Sequence, residues 1–203
     1  MKKPLRSQSG IAVMEFAMCA VFVVPLLLGI FVFGFRLIRS LQMIQIARDL
    51  GHMYVRGISF RNPGPIFTAQ TLASGYALTS TGTSVVYLSQ IKVVQQADCD
   101  AVPGATPGRP CANLGLTVFT EQLTIGNSSM GASPFGSPPL QSNNTVTITD
   151  QARNPQAVAG GFQNLITLQG GEQAYLAEMI NQTAELNVPG FSGLPQVYAR
   201  AVF

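Results

Sequence analysis

Ser9-Gly-Ile-Ala-Val-Met-Glu-Phe16 opens an apolar run that continues to Ile38 and carries two charged groups, Glu15 near its start and Arg36 near its end. At about 1.5 Å of rise per helical residue, positions 11 to 38 span roughly 42 Å, more than a bilayer core requires. A charge inside such a segment costs a few kcal/mol, so it is rare and by default marks function. Ahead of the run lies a short basic leader with Lys2, Lys3 and Arg6, closed by Gly10. An ordinary secretory signal fits poorly, since its apolar region is about 7–15 residues and ends in small residues at a cleavage site. Here the run ends in Phe35-Arg36-Leu37-Ile38-Arg39, the pattern of an anchor that stays.

Gly10, the apolar run that follows it and a single carboxylate five residues on together resemble the type IV prepilin signal. That resemblance implies a membrane peptidase that cuts between Gly10 and Ile11, leaving the helix attached and Glu15 as the fifth residue. The physical role of Glu15 then follows from general chemistry. The cut exposes an α-amino group that stays protonated near neutral pH. A carboxylate packed among apolar helices needs an opposite charge, which the amine of a neighbouring subunit supplies, so the pair sets axial register. Phe16 is assigned to the same assembly surface.

Within that superfamily the chain resembles the TadE-like minor pilins of tight-adherence (Tad, Flp-type) systems. The resemblance lies in Gly10-Ile-Ala-Val-Met-Glu-Phe16, Pro25-Leu-Leu-Leu-Gly-Ile30 and Phe33-Gly-Phe-Arg36 with the polar–apolar stem behind them. Major Flp pilins are little more than the N-terminal helix, so about 140 further residues imply a minor pilin or pseudopilin. The implied partners are other pilin subunits, the prepilin peptidase, and the inner membrane with its Tad assembly platform. The implied location is the bacterial inner membrane, single-pass, leader in the cytoplasm and head in the periplasm, and then the extracellular pilus. The sequence divides accordingly into a leader (1–10), a transmembrane and stem helix (11–61) and an extracytoplasmic α+β head (62–203). The alternative from another class is a single-pass anchored protein whose head binds or adheres to a surface, motivated by the mobile-looking loops of that head.

The net charge of +3 argues for no nucleic-acid partner. Without residues 1–10 the chain carries nine basic and nine acidic side chains. Charge is segregated: five arginines and one acid lie between Arg36 and Arg61, against four basic and seven acidic residues from Asn62 onward. A basic stem of this kind suits subunit packing or lipid headgroups, and equally two solvated faces.

Of three cysteines, Cys19 in the apolar helix reads as a small hydrophobe. Cys99 and Cys111 flank a Pro/Gly-rich segment that cannot order itself, and a disulfide there restricts the unfolded chain and implies an oxidising compartment. A metal site is less attractive, with one histidine (His52) and no further thiol near the pair. Asp98 and Asp100 offer calcium two loop carboxylates, which are more often solvated. No nucleophile–base pair and no Gly-rich phosphate loop emerges, so neither an enzyme nor a cofactor is expected.

In the stem, Leu37, Leu41, Ile44, Ala47, Gly51, Tyr54 and Ile58 share one helical face, widened by Met43, Ile46, Leu50 and Met53. The helix is expected to stop before Asn62-Pro63-Gly64-Pro65. Beyond it the sequence predicts a short helix at 68–78, strands at 84–95 and 114–125 joined through the cysteine loop, a long surface loop at 126–144, and a third strand at 144–149. Residues 172–182 have helical spacing and composition, whereas resemblance to the strand closing TadE-like heads implies a strand there. Residues 196–203 alternate as a last strand.

Overall fold

A computed structural model describes residues 9–182 and 196–203. It is α+β: a long N-terminal apolar helix and a small domain around a four-stranded antiparallel sheet. The chain divides into two compact units, Met1–Arg39 and Ser40–Phe203.

Helix α1 (Ser9–Val55) supplies the described part of the first unit and the start of the second. It runs through Pro25, which lacks the N–H for one backbone hydrogen bond. Its end is set six residues ahead of the proline cluster by Gly57. The Gly57 N–H donates to the Tyr54 carbonyl (2.9 Å) and the Ile58 N–H to the Met53 carbonyl (3.1 Å), with Gly57 at φ +79°. This is a Schellman cap, which needs the left-handed conformation that glycine adopts without penalty.

Pro63 therefore starts a helix where it was expected only to end one. Helix α2 spans Pro63–Leu72, with Asn62 at its N-cap and proline in its first turn, where a missing N–H costs nothing. The helix expected at 68–78 is displaced toward the N-terminus by this start signal.

Strand β1 (Ser84–Val93) pairs antiparallel with β2 (Thr117–Gly126) on one side and β3 (Gln173–Gln182) on the other. Strand β4 (Gln196–Val202) pairs with β3 at the opposite edge, giving the order β2-β1-β3-β4. Residues 173–182 are thus strand. Their helical propensities yield to the sheet because Ala174, Leu176 and Ile180 point to one buried face while Ala177 and Met179 point to the other.

Both faces of the sheet are covered, which explains the unbroken buried run at the start of β1. One face, with Val86, Leu88, Leu123, Ile125, Ala177 and Met179, packs on Met43, Ile46, Ala47, Leu50 and Tyr54 of α1 and on Ala69 of α2. Met43, Ile46 and Leu50 of the widening stripe and Ala47 and Tyr54 of the first stripe form this core together, whereas Leu41 is exposed. Gly51 belongs here because the Phe203 ring fills its place: a Cβ would sit 2.2 Å from that ring.

The other face carries Val85, Tyr87, Ile91, Leu176 and Ile180 beneath the segment between β2 and β3. The expected third strand at 144–149 does not form. Thr145 makes one isolated bridge with Glu121, and α3 then starts at Ile148 and ends at Arg153. The reason is a cap: the Thr147 hydroxyl accepts from the Asp150 N–H (3.0 Å) and donates to its carboxylate (2.7 Å). The 126–144 segment is a loop in part only, since it includes a 3-10 turn at Ser128–Met130 and buries Ser133 and Phe135.

Candidate functional site

In the first unit, the residues singled out from sequence lie on the opening turns of α1. Gly10, Glu15 and Phe16 are exposed, Phe16 to 75%, and Ile11 is helical. Nothing lies within 4 Å of where a Gly10 Cβ would stand, so packing among the described residues does not require glycine there. Val21, Phe22, Ile30, Phe31 and Phe33 are all more than 60% exposed and, at about 3.6 residues per turn, fall on every side of the helix. A helix apolar all round normally has its whole circumference buried. The stretch is long and apolar enough to cross a membrane, consistent with single-pass anchoring. Cys19 is a free thiol, exposed like its neighbours.

In the second unit, Cys99 and Cys111 form the expected disulfide, with Cα atoms 5.4 Å apart. The short helix Gln96–Asp100 precedes it, and Cys99 is buried against Val94 and Val118. The two nearby carboxylates are each engaged by the protein. Asp98 takes Lys92 Nζ at 2.8 Å and the Gln95 N–H at 2.9 Å. Asp100 takes the Gly108 N–H and Gln96 Nε2, both at 2.9 Å. They point to separate partners and do not converge as calcium ligands would.

His52 lies against the Phe203 ring, centroids 4.6 Å apart, which is a packing contact. A cavity of about 260 Å³ beside Tyr54 is lined by the Arg61–Glu121 ion pair (2.7 Å), Gln90 and Tyr175. The buried Tyr54 hydroxyl has no hydrogen-bond partner among the described residues.

The least expected group is Glu178, fully buried in the centre of β3. The Ser133 hydroxyl donates to its Oε2 (2.6 Å) and the Tyr198 hydroxyl to its Oε1 (2.7 Å). Burial pushes the carboxyl up from its ordinary range, opposed by those two hydrogen bonds and by the charge of Arg200. Burial and the same carboxylate push the phenols of Tyr87 and Tyr198 up as well. Tyr87 donates to the Gly131 carbonyl (2.7 Å), so the network ties the 131–135 loop to the sheet. Sequence reading did not single out Glu178; the signal that could have found it is its strand phase, shared with the inward-facing Leu176 and Ile180.

A second, larger cavity of about 630 Å³ opens beside the disulfide, with Arg109 and Arg153 in its wall. Sequence spacing did not suggest this pairing, since the two residues are brought together by the β1–β2 connection and α3.

Fold and site together define a small α+β protein carrying a membrane-length apolar helix. Compared with family models, curated proteins and solved structures, the chain matches none of them.

Proposed function

We propose that this chain is a minor pilin or pseudopilin of the tight-adherence kind, processed after Gly10 and assembled through its N-terminal helix. The observation that carries the reading is the spacing of Gly10 and Glu15 on a helix whose apolar surface is exposed all round. In lipid that surface is satisfied by acyl chains. In a filament the same surface is satisfied by copies of itself or by other pilins, so one helix serves both states. Glu15 distinguishes them: a carboxylate is costly in either setting unless a cation meets it, and the new amine at Ile11 of a neighbour is that cation. The disulfide fits a head that matures outside the reducing cytoplasm.

The reading makes Glu15 an assembly group with no part in the fold of the head. Glu15→Ala is expected to leave membrane insertion and the melting of the head unchanged while abolishing co-purification with pilin partners. Intact mass of the membrane-extracted protein supplies the independent check. A chain still carrying residues 1–10 in cells that contain the peptidase would sink the proposal. An assembly-competent Glu15→Ala protein would favour the anchored binding protein instead.

A further inference from the structure

From Asn62 onward the sequence holds four basic side chains, Lys92, Arg109, Arg153 and Arg200, against seven acidic ones. In such an acid-rich segment each cation would be expected to find a carboxylate. Lys92 does, with Asp98 at 2.8 Å. Arg200 lies over the Phe135 ring and lowers the pKa of Glu178 through its charge. Arg109 and Arg153 have no ion pair or side-chain hydrogen bond among the described residues, and both line the cavity beside the disulfide.

The acids closest to them in sequence are committed elsewhere. Asp98 holds Lys92 and the Gln95 N–H, while Asp100 holds Gly108 and Gln96. Asp150, three residues before Arg153 on α3, takes the Thr147 hydroxyl and Asn154 Nδ2 (3.0 Å). Those contacts pull its carboxyl below the ordinary range. Among the described residues no carboxylate lines the cavity; Thr106 adds a hydroxyl and the Cys99–Cys111 disulfide fixes one wall.

We propose that this cavity binds a doubly charged tetrahedral oxyanion, a phosphate monoester group or free phosphate. Two guanidinium groups bring two positive charges and planar forks of N–H donors, more than one carboxylate can use and a match for a phosphate dianion. The volume, about 630 Å³, leaves room for the group that carries the phosphate. The disulfide holds the Arg109 loop in place before the ligand arrives, which lowers the ordering cost of binding. Since both arginines are exposed, binding weakens as salt rises. The site is independent of the N-terminal helix and of its assembly role.

The test uses the full-length protein in nanodiscs, followed by the backbone amide signals of Thr106 and Arg153. One arm titrates inorganic phosphate into discs of phosphatidylcholine; the other compares those discs with discs containing phosphatidic acid. A saturable shift is expected in at least one arm, and the arm identifies the source as soluble phosphate or a lipid headgroup. Arg109→Ala with Arg153→Ala is expected to weaken binding about tenfold or more with the melting temperature unchanged. Should that pair disturb folding, the single Arg109→Gln and Arg153→Gln proteins replace it, each with a smaller loss. No saturable shift in either arm, or an unchanged Kd in folded variants, overturns the proposal.

Discussion

Helix α1 changes its chemistry without changing its secondary structure. From Ala12 to Phe35 it is apolar around its circumference apart from Glu15, and most of its side chains are exposed. From Ser40 its apolar residues gather on one stripe, Met43, Ile46, Ala47, Leu50 and Tyr54, and that stripe is buried against the sheet. The second pattern is that of a helix whose partner belongs to the same chain, and the first is that of one whose partner does not. What separates them is the placement of polar residues. Gln42, Gln45, Arg48, Asp49 and His52 keep one side of the later stretch in water, and no such side exists between Ala12 and Phe35. A helix boundary is therefore a poor guide to a functional boundary, because the transition falls in the middle of a continuous helix.

The sharpest way to break this comparison is truncation. A fragment beginning at Ser40 is expected to fold with its sheet intact. One beginning at Asn62 loses Met43, Ile46, Leu50 and Tyr54 together and is expected not to fold at all. Each of these deleted side chains alone is the kind that costs about 2–5 kcal/mol in a core, against a total stability of about 5–15 kcal/mol. Far-UV circular dichroism and amide dispersion of the two fragments decide it. A cooperatively folded fragment from Asn62 would mean that the stem is peripheral.

Point substitutions give the same contrast at lower cost to the molecule. Leu50→Ala removes a fully buried side chain and is expected to lower the melting temperature of the head by about 5–15 °C. Phe22→Ala removes a larger side chain that is 76% exposed, and is expected to leave that transition unmoved. Thermal scans of both proteins in the same detergent measure the difference. Equal shifts would dissolve the distinction between the two stretches.

The disulfide offers a third measure, confined to the second unit. Its twelve-residue separation restricts the unfolded chain, so Cys99→Ser is expected to cost about 2–4 kcal/mol. The same loss should follow from Cys111→Ser, and the double substitution should add little, since either one opens the loop. Under the proposed pilin function, incorporation into a filament belongs to the helix and is expected to persist. Free-thiol labelling before and after reduction confirms that the bond, rather than a packing change, was tested.

Much of this was legible in residues 9–55 because hydropathy patterning along a helix is local. The disulfide was legible for the same reason, as two cysteines bracketing a segment without structure of its own. The errors concentrate where two local signals compete. At Pro63 a breaker is also a good first residue of a helix, because its missing N–H has no intrahelical partner to lose there. At 144–149 the alternation of Val146 and Ile148 suggested a strand, but Thr147 and Asp150 form a cap that ends extended structure after one bridge. The buried network around Glu178 and the placing of Arg109 and Arg153 in the wall of one cavity depend on how distant segments pack. Neither is written in spacing.

The smallest expected effect belongs to Glu178, and its sign is opposite to that of most paired carboxylates. Burial raises its pKa in the folded protein above the unfolded value. The folded state therefore holds the proton more tightly between the two values, and this group's contribution to stability is present in acid and lost as pH rises through the raised pKa. Facing Glu178 are Tyr87 from β1, Ser133 from the loop, and Tyr198 and Arg200 from β4. The two phenols remain neutral through this range, their pKa values being raised, so neither masks the titration. Glu178→Gln approximates the protonated side chain and keeps an oxygen to accept from Tyr198 or Ser133. The expected outcome is a shallower decline of melting temperature in Glu178→Gln than in the native protein as pH rises above the ordinary carboxylate range. Asp150, whose pKa is lowered, contributes with the reverse sign at lower pH and is unchanged in both proteins, so their difference isolates Glu178. Superimposable pH profiles would show that the carboxyl is already neutral throughout or already compensated by Arg200, and the buried charge would then have no part in tying the 131–135 loop to the sheet.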